Sequence, residues 1–294
     1  MEFFLQMVLS GIMVGGVYSL VAIGFVIIYK STGVINFAQG QLLAIGALIL
    51  WSFVVPMGLP LWMAGLMSII STGILGIIIE RLTIRPMTGQ PLMAVIVMTI
   101  GLAALFDSLI PPIFGGVERA YPTYFPVSGM KIWKLSISYE YLFSFIIAST
   151  MVGFFLYFFH KTRWGIMMRA VADGHETARS CGIMVGNIFS LAWIIAAISA
   201  MIGGFLLGSI ESVSPGMSSI GLRVFPVVIL GGLDSIPGCI IAGPIVGILE
   251  MMAVGYADVL VEGGAGDVIP HLIILLTLIF KPYGIFGQEH IERI

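Results

Sequence analysis

The chain alternates long apolar runs with short polar breaks, and most runs have the length of a bilayer crossing. Residues 3–29 form the first, longer than the roughly 20 residues a transmembrane helix needs. Gly11, Gly15 and Ser19, four apart, give it a face of small residues for close helix contact. Residues 30–39 interrupt the run without a true loop, and Asn36, Gln39 and Gln41 carry amides into the next run, which ends at Val55. Amides at membrane depth need partners and are expected to face the protein interior or a wet cavity. The alternative is a polar helix start that fixes the cytoplasmic interface. A tight uncharged turn at 56–60 leads to a third span at 61–79. A short loop with Glu80, Arg81 and Arg85 leads to a fourth at 92–110. Asp107, near the end of that span, is expected at the far interface, where a carboxylate costs little. Residues 111–138 make the longest external loop, whose Tyr121, Tyr124, Phe125 and Trp133 suit an interfacial aromatic belt. A fifth span follows at 139–159.

The longest polar island lies between this span and the next, at 160–186. It holds Lys161, Arg163, Arg169 and Arg179, four of the 13 basic residues, so the positive-inside rule puts it in the cytoplasm. Met167, Ala170, Val171, Gly174, Ala178 and Cys181 fall on one stripe at helical spacing, with Arg169, Asp173 and Glu176 on another side. The Asp173-Gly174 step is expected to divide the helix in two, with Asp173 and Glu176 forming a capping box for the second piece. Gly182 is placed to end it in a left-handed conformation. Such an element is a docking device, or else a loop whose charges only fix topology.

Residues 187–210 form a sixth span with small residues at Ser199, Gly203 and Gly204, followed by a turn-rich external loop at 211–221. The stretch VFPVVILGGLDSIPGCIIAGPIVG, residues 224–247, is then cut by Pro226 and by Gly231-Gly232. Short apolar segments interrupted by Gly and Pro point to broken or re-entrant helices lining a path. Residues 240–256 complete a span that contains Glu250, an intramembrane carboxylate that reads equally as a functional group or as a structural one between helices. Asp258, Glu262 and Asp267 mark an acidic outer loop, 268–280 is the last apolar run, and KPYGIFGQ at 281–288 ends the chain inside. The fold class expected is all-α: a single polytopic helical bundle over 1–294 of about eight or nine membrane segments, N-terminus outside and C-terminus inside. The turns at 30–39 and 211–221 would lie on opposite sides, an echo of an inverted repeat.

Composition agrees. Of 294 residues, 59 % are apolar and 10 % charged, and the mean hydropathy is +1.10. Soluble domains carry about a quarter charged residues. A net charge of -2 gives no reason to expect nucleic-acid binding. Glu2 in place of a basic start, and the length of the first run, argue against a cleavable signal peptide. Cys181 and Cys239 have no metal-ligand spacing and no disulfide is expected. The sequence has no Walker phosphate loop, nucleophile turn, His/Cys cluster or chain of intramembrane carboxylates, so no catalytic residue, metal site or cofactor is expected.

Four stretches resemble the LivH-type branched-chain amino-acid permeases of ABC importers: RAVADGHETARSCGI at 169–183, YSLVAIGFVIIYKSTGVINFAQGQLLAIGA at 18–47, the Gly/Pro-rich stretch at 224–247, and KPYGIFG at 281–287. The resemblance implies that Arg169, Ala170, Asp173, Glu176, Ala178 and Gly182 couple to an ATPase subunit. It places Asn36, Phe37, Gln39, Gly40, Pro226, Gly231 and Gly232 by the translocation path; Glu250 is a candidate there because it is an intramembrane carboxylate. The implied partners are a second related permease, two ABC ATPase subunits, a periplasmic substrate-binding protein, the amino-acid substrate and membrane lipid, in a bacterial inner membrane. The competing reading is a stand-alone ion-coupled carrier with its ion site at Glu250 or near Asp234, which leaves the docking element without a role. Urea, amides or other amino acids are alternative cargoes.

Overall fold

The computed structural model describes residues 1–124, 129–132, 135–258 and 264–287. Phe125 and Trp133 of the expected aromatic belt, Glu262 of the acidic loop, and Gln288 lie outside them. Eleven α-helices occur among the described residues: α1 (Glu2–Thr32), α2 (Gln39–Val54), α3 (Leu61–Ile79), α4 (Leu92–Phe114), α5 (Tyr139–Lys161), α6 (Arg163–Asp173), α7 (His175–Ser180), α8 (Val185–Ile210), α9 (Ile220–Gly231), α10 (Ile236–Met252) and α11 (Ala265–Phe280). A short antiparallel hairpin, β1 (Gly129–Ile132) and β2 (Leu135–Ser138), precedes α5. Among the described residues six helices are long and apolar enough to cross a membrane, and three further apolar helices are shorter. The chain is a multi-pass membrane protein.

Helix α1 is the central post. The 18-residue window that qualifies it as a span is 94 % buried, against 22 % for α4. Its small-residue face is what permits this. A Cβ on Gly15 would stand 2.3 Å from the Gly243 carbonyl oxygen, and one on Gly11 would stand 2.5 Å from the Ile248 Cα. The α1 and α10 backbones therefore touch, and Ser19 Oγ donates across the seam to the Cys239 carbonyl at 3.1 Å. In lipid, where apolar burial does not drive helices together, this packing and the interhelical hydrogen bond hold the pair.

Two short helices begin inside the bundle. After Thr32 the chain caps α1 with Gly33 and climbs back, so that Gln39 packs against Gly24 and its Nε2 donates to the Ala196 carbonyl at 3.1 Å. Ala196 lies eleven residues into α8, about 16 Å from its start at 1.5 Å per residue. Helix α2 thus starts at mid-bundle. The loop after α8 does the converse: Val213 pairs with Arg119, the 3-10 turn Pro215–Ser219 folds inward, and α9 begins against the start of α2. The sequence places residues 211–221 outside; their second half turns into the bundle because Gly40 and Gly221 let the two backbones meet. A Cβ on Gly40 would lie 2.2 Å from the Ser218 carbonyl oxygen, and one on Gly221 would lie 2.5 Å from the Gly40 Cα. Helices α1 and α8 run oppositely, and each passes the chain to a re-entering loop and a half-length helix, as the expected inverted echo requires.

One end of the bundle gathers Lys30, Arg81, Arg85, Lys161, Arg163, Arg169, Arg179 and Lys281. Contacts tie this end together: Lys30 Nζ donates to the Asp234 carbonyl at 3.2 Å, and Arg85 Nη2 to that of Gly186 at 3.0 Å. By the positive-inside rule it is the cytoplasmic end.

Candidate functional site

The cytoplasmic end carries an elbow made of α6 and α7. Thr162 caps α6, its Oγ1 accepting from the Gly165 N–H at 3.1 Å. The two helices part at Gly174, as the sequence predicts. The capping box does not form: Asp173 is the last residue of α6, Gly174 is extended at the start of α7, and no side chain caps α7. Gly182 ends α7 at φ 82°, with the Ile183 N–H bonded to the Ala178 carbonyl and the Gly182 N–H to that of Arg179, the Schellman pattern. The buried stripe is Gly165, Met168, Val171 and Ala178, while Ala170 is half-buried and Cys181 is exposed. Arg169 does not share an outer face with Asp173 and Glu176. It turns inward, donating to the Phe159 carbonyl and lying 5.6 Å from the Phe159 ring, so it bolts α6 to the end of α5. Outward face Asp173, Glu176, Thr177, Arg179, Ser180 and Gly182, with Trp164 and Ile166 also exposed.

A second device at this end escaped the sequence reading. Helix α3 runs into a π-helical turn, Glu80–Ile84, and Glu80 is wholly buried. Arg85 grips both its carboxylate oxygens, at 3.0 and 3.2 Å, while Ser190 Oγ donates to Oε2 at 2.7 Å. With the Arg85 bond to Gly186, this ties the end of α3 to the start of α8, next to the elbow. In sequence Glu80 and Arg85 are ordinary loop charges; only the π-turn and the approach of α8 bury one of them.

At mid-bundle a cavity of about 330 Å³ opens beside the meeting tips of α2 and α9. Phe25, Phe37 and Phe225 form an apolar wall, with ring centroids 5.7 Å apart for Phe37 and Phe225 and 6.0 Å for Phe25 and Phe225. Gln41 and Asp107 form a polar wall, the Gln41 Nε2 donating to Asp107 Oδ2 at 3.0 Å. Asp107 is therefore not at the far interface. It sits level with the first turn of α2, two turns below the end of α4.

Of the residues the sequence places by a path, Phe37 lines this cavity. Asn36 and Gln39 are fully buried behind it and satisfy one another: Asn36 Nδ2 donates to Gln39 Oε1 at 3.2 Å, and Asn36 Oδ1 accepts from the Ala38 N–H at 3.0 Å. They fix the start of α2. Gly40 forms the contact with Gly221, and Pro226 is buried within α9. Gly231 and Gly232 lie at the cytoplasmic turn between α9 and α10, against the C-terminal segment. There the Ile285 and Phe286 N–H groups bond the carbonyls of Leu230 and Gly231. The terminal KPYGIFG segment thus caps the broken helix, supplying donors to carbonyls that a helix end leaves open. Glu250, buried on α10, faces Arg223 of α9 at 3.8 Å, and Arg223 also pairs with Asp267 of α11 at 2.8 Å. The candidate carboxylate belongs to an ion-paired seam that holds α9.

At the outer end Tyr121 turns inward instead of joining a belt. Its hydroxyl donates to the Ala47 carbonyl at 2.8 Å, and burial raises its pKa, so it stays a neutral donor.

A multi-pass helical bundle in which two half-length helices meet at an amphipathic cavity is the framework of a membrane transport protein. The chain belongs to the family described as branched-chain amino acid transport system / permease component, whose model matches residues 7–279. It is 32 % identical to the high-affinity branched-chain amino acid transport system permease protein BraD of Pseudomonas aeruginosa, over 99 % of this chain and 98 % of that one. It is 28 % identical to the corresponding protein LivH of Salmonella typhimurium, with the same coverage. A probable branched-chain amino acid permease, LivH of Methanocaldococcus jannaschii, is 25 % identical over 97 % of this chain and 93 % of its own. The fold is shared with a chain of the complex of PsaBC from Streptococcus pneumoniae with Fab, at a TM-score of 0.52 and 13 % identity over 97 % of this chain and 94 % of that one.

Proposed function

We propose that this chain is the membrane-spanning permease subunit of an ABC importer in a bacterial inner membrane. It moves leucine, isoleucine and valine inward by alternating access. Two separate ATPase subunits bind and hydrolyse ATP, a second related permease completes the pore, and a periplasmic binding protein delivers the cargo. The observation that carries the reading is the elbow. It is capped, bolted to the bundle, and presents Asp173, Glu176 and Arg179 outward beside Gly182, which ends α7. Ala170, Ala178 and Arg169 hold its inner side. Movement of an ATPase groove seated on the elbow passes to α5 through Arg169 and reaches the neighbouring α3–α8 clamp through the start of α8.

The relatives' names bring branched-chain cargo to this chain, and the phenyl-walled cavity suits it. Against an ion-coupled carrier, Glu250, its candidate ion site, is paired with Arg223. The test is uptake into proteoliposomes holding the chain with its partner permease, ATPases and binding protein. Labelled leucine, isoleucine and valine are expected to accumulate only with ATP inside and binding protein outside. Uptake driven by an ion gradient without ATP would sink the proposal. Uptake of urea or acetamide in place of leucine would correct the cargo.

A further inference from the structure

We propose that the cavity beside the tips of α2 and α9 is an amino-acid subsite, in which Asp107, steadied by Gln41, holds the ammonium group of the passing substrate and Phe25, Phe37 and Phe225 receive its apolar side chain. The proposal deepens the importer reading and rests on it.

The chemistry follows from two observations. Among the described residues, no cation pairs with Asp107; its partner is the Gln41 amide at 3.0 Å. Glu80 and Glu250, the buried carboxylates of the bundle, each have an arginine. Second, Asp107 lines the cavity and is exposed, while Gln41 beside it is 8 % exposed with its Oε1 buried. The amide orientation is fixed by its neighbour, since an ionised carboxylate only accepts and so takes the NH2 edge. A carboxylate that lines the cavity and holds one amide donor but no cation calls for a compact charged donor with several protons. An ammonium group has three. Opposite stands a wall of three phenyl rings, which takes a branched aliphatic side chain and offers a polar one nothing. The volume, about 330 Å³, is at the small end of the roughly 300–1,000 Å³ usual for small-molecule sites. The partly open cavity, with few polar contacts, fits a site that cargo visits and leaves.

The test uses the full importer in proteoliposomes, with uptake and ATP hydrolysis measured together. Asp107→Asn is expected to assemble with its partners, while leucine uptake per ATP falls on the order of tenfold, the loss of one charge-assisted hydrogen bond. Asp107→Glu keeps most of the uptake. A second readout places a probe in the cavity with Asp107 intact: Ala103→Cys, labelled by a cationic methanethiosulfonate and read by peptide mass spectrometry. Leucine is expected to slow this labelling. Parental uptake per ATP in Asp107→Asn, or labelling indifferent to leucine, overturns the subsite. Leucine protection in vesicles whose unmodified importer shows no ATP-driven uptake keeps the subsite and sinks the importer reading.

Discussion

Replacing Gly40 by alanine tests the meeting of the two half-helices. The added Cβ would lie 2.2 Å from the Ser218 carbonyl oxygen and 2.9 Å from the Gly221 Cα, where real Cβ atoms keep at least 3.0 Å. The tips must part by about 0.8 Å, and both neighbours are backbone, so no rotamer change relieves the contact. Overpacking of this kind costs about 1–3 kcal/mol. The same substitution at Gly65 on α3 meets nothing within 4 Å and gains up to about 1 kcal/mol of helix propensity. The assay is thermal unfolding of the purified chain in detergent. Gly40→Ala should melt several degrees below the parent, at roughly 2–4 °C per kcal/mol, while Gly65→Ala should melt at or above it. Adding Gly221→Ala to Gly40→Ala should cost less than the sum of the two, because tips already forced apart have room for the second methyl. A Gly40→Ala variant as stable as Gly65→Ala would refute the reasoning.

Other substitutions probe the charges and the elbow. Arg85→Leu strands the buried Glu80 carboxylate and should cost about 2 kcal/mol, below the 3–5 typical of buried pairs because the Arg85 side chain is 43 % exposed. Combining it with Glu80→Gln should recover much of the loss in thermal unfolding, and strict additivity would show that the two do not act as a pair. Glu250→Gln should leave uptake largely intact, since Arg223 keeps Asp267, whereas Arg223→Leu should lower stability; abolished uptake in a well-assembled Glu250→Gln importer would give the carboxylate a direct role. Gly182→Trp puts a bulky ring at a left-handed position on open surface, and should abolish ATPase association while the chain remains folded, as read by gel filtration; unimpaired association and transport would count against docking there.

The spans, the glycine face of α1, the break at Gly174 and the cap at Gly182 were legible because each is set by local spacing or by one residue's backbone freedom. Depth was legible only in part. The amides of Asn36, Gln39 and Gln41 point to the interior, but how far the run climbs follows from Gln39 reaching Ala196 and from Gly40 meeting a glycine 181 positions away. The same ignorance put Asp107 at the interface. Arg169 was misread because helical spacing gives a direction around the axis and not the reach of a long side chain that can bend back onto Phe159. The failed capping box has a similar cause: Asp173 stays in the last turn of α6, so its side chain is not at the cap position. The ends of α3 and α9 hid their partners as well, Ser190 and the C-terminal segment, because both come from distant parts of the chain.

The most direct test of the central claim is co-purification of the tagged chain from its native membrane, with residues 169–182 intact or scrambled. The account predicts that ABC ATPase subunits come down with the native chain and are lost with the scramble, while the second permease stays with both. A stable, correctly folded chain that purifies without any ATPase, or that keeps its ATPase after the scramble, would contradict it.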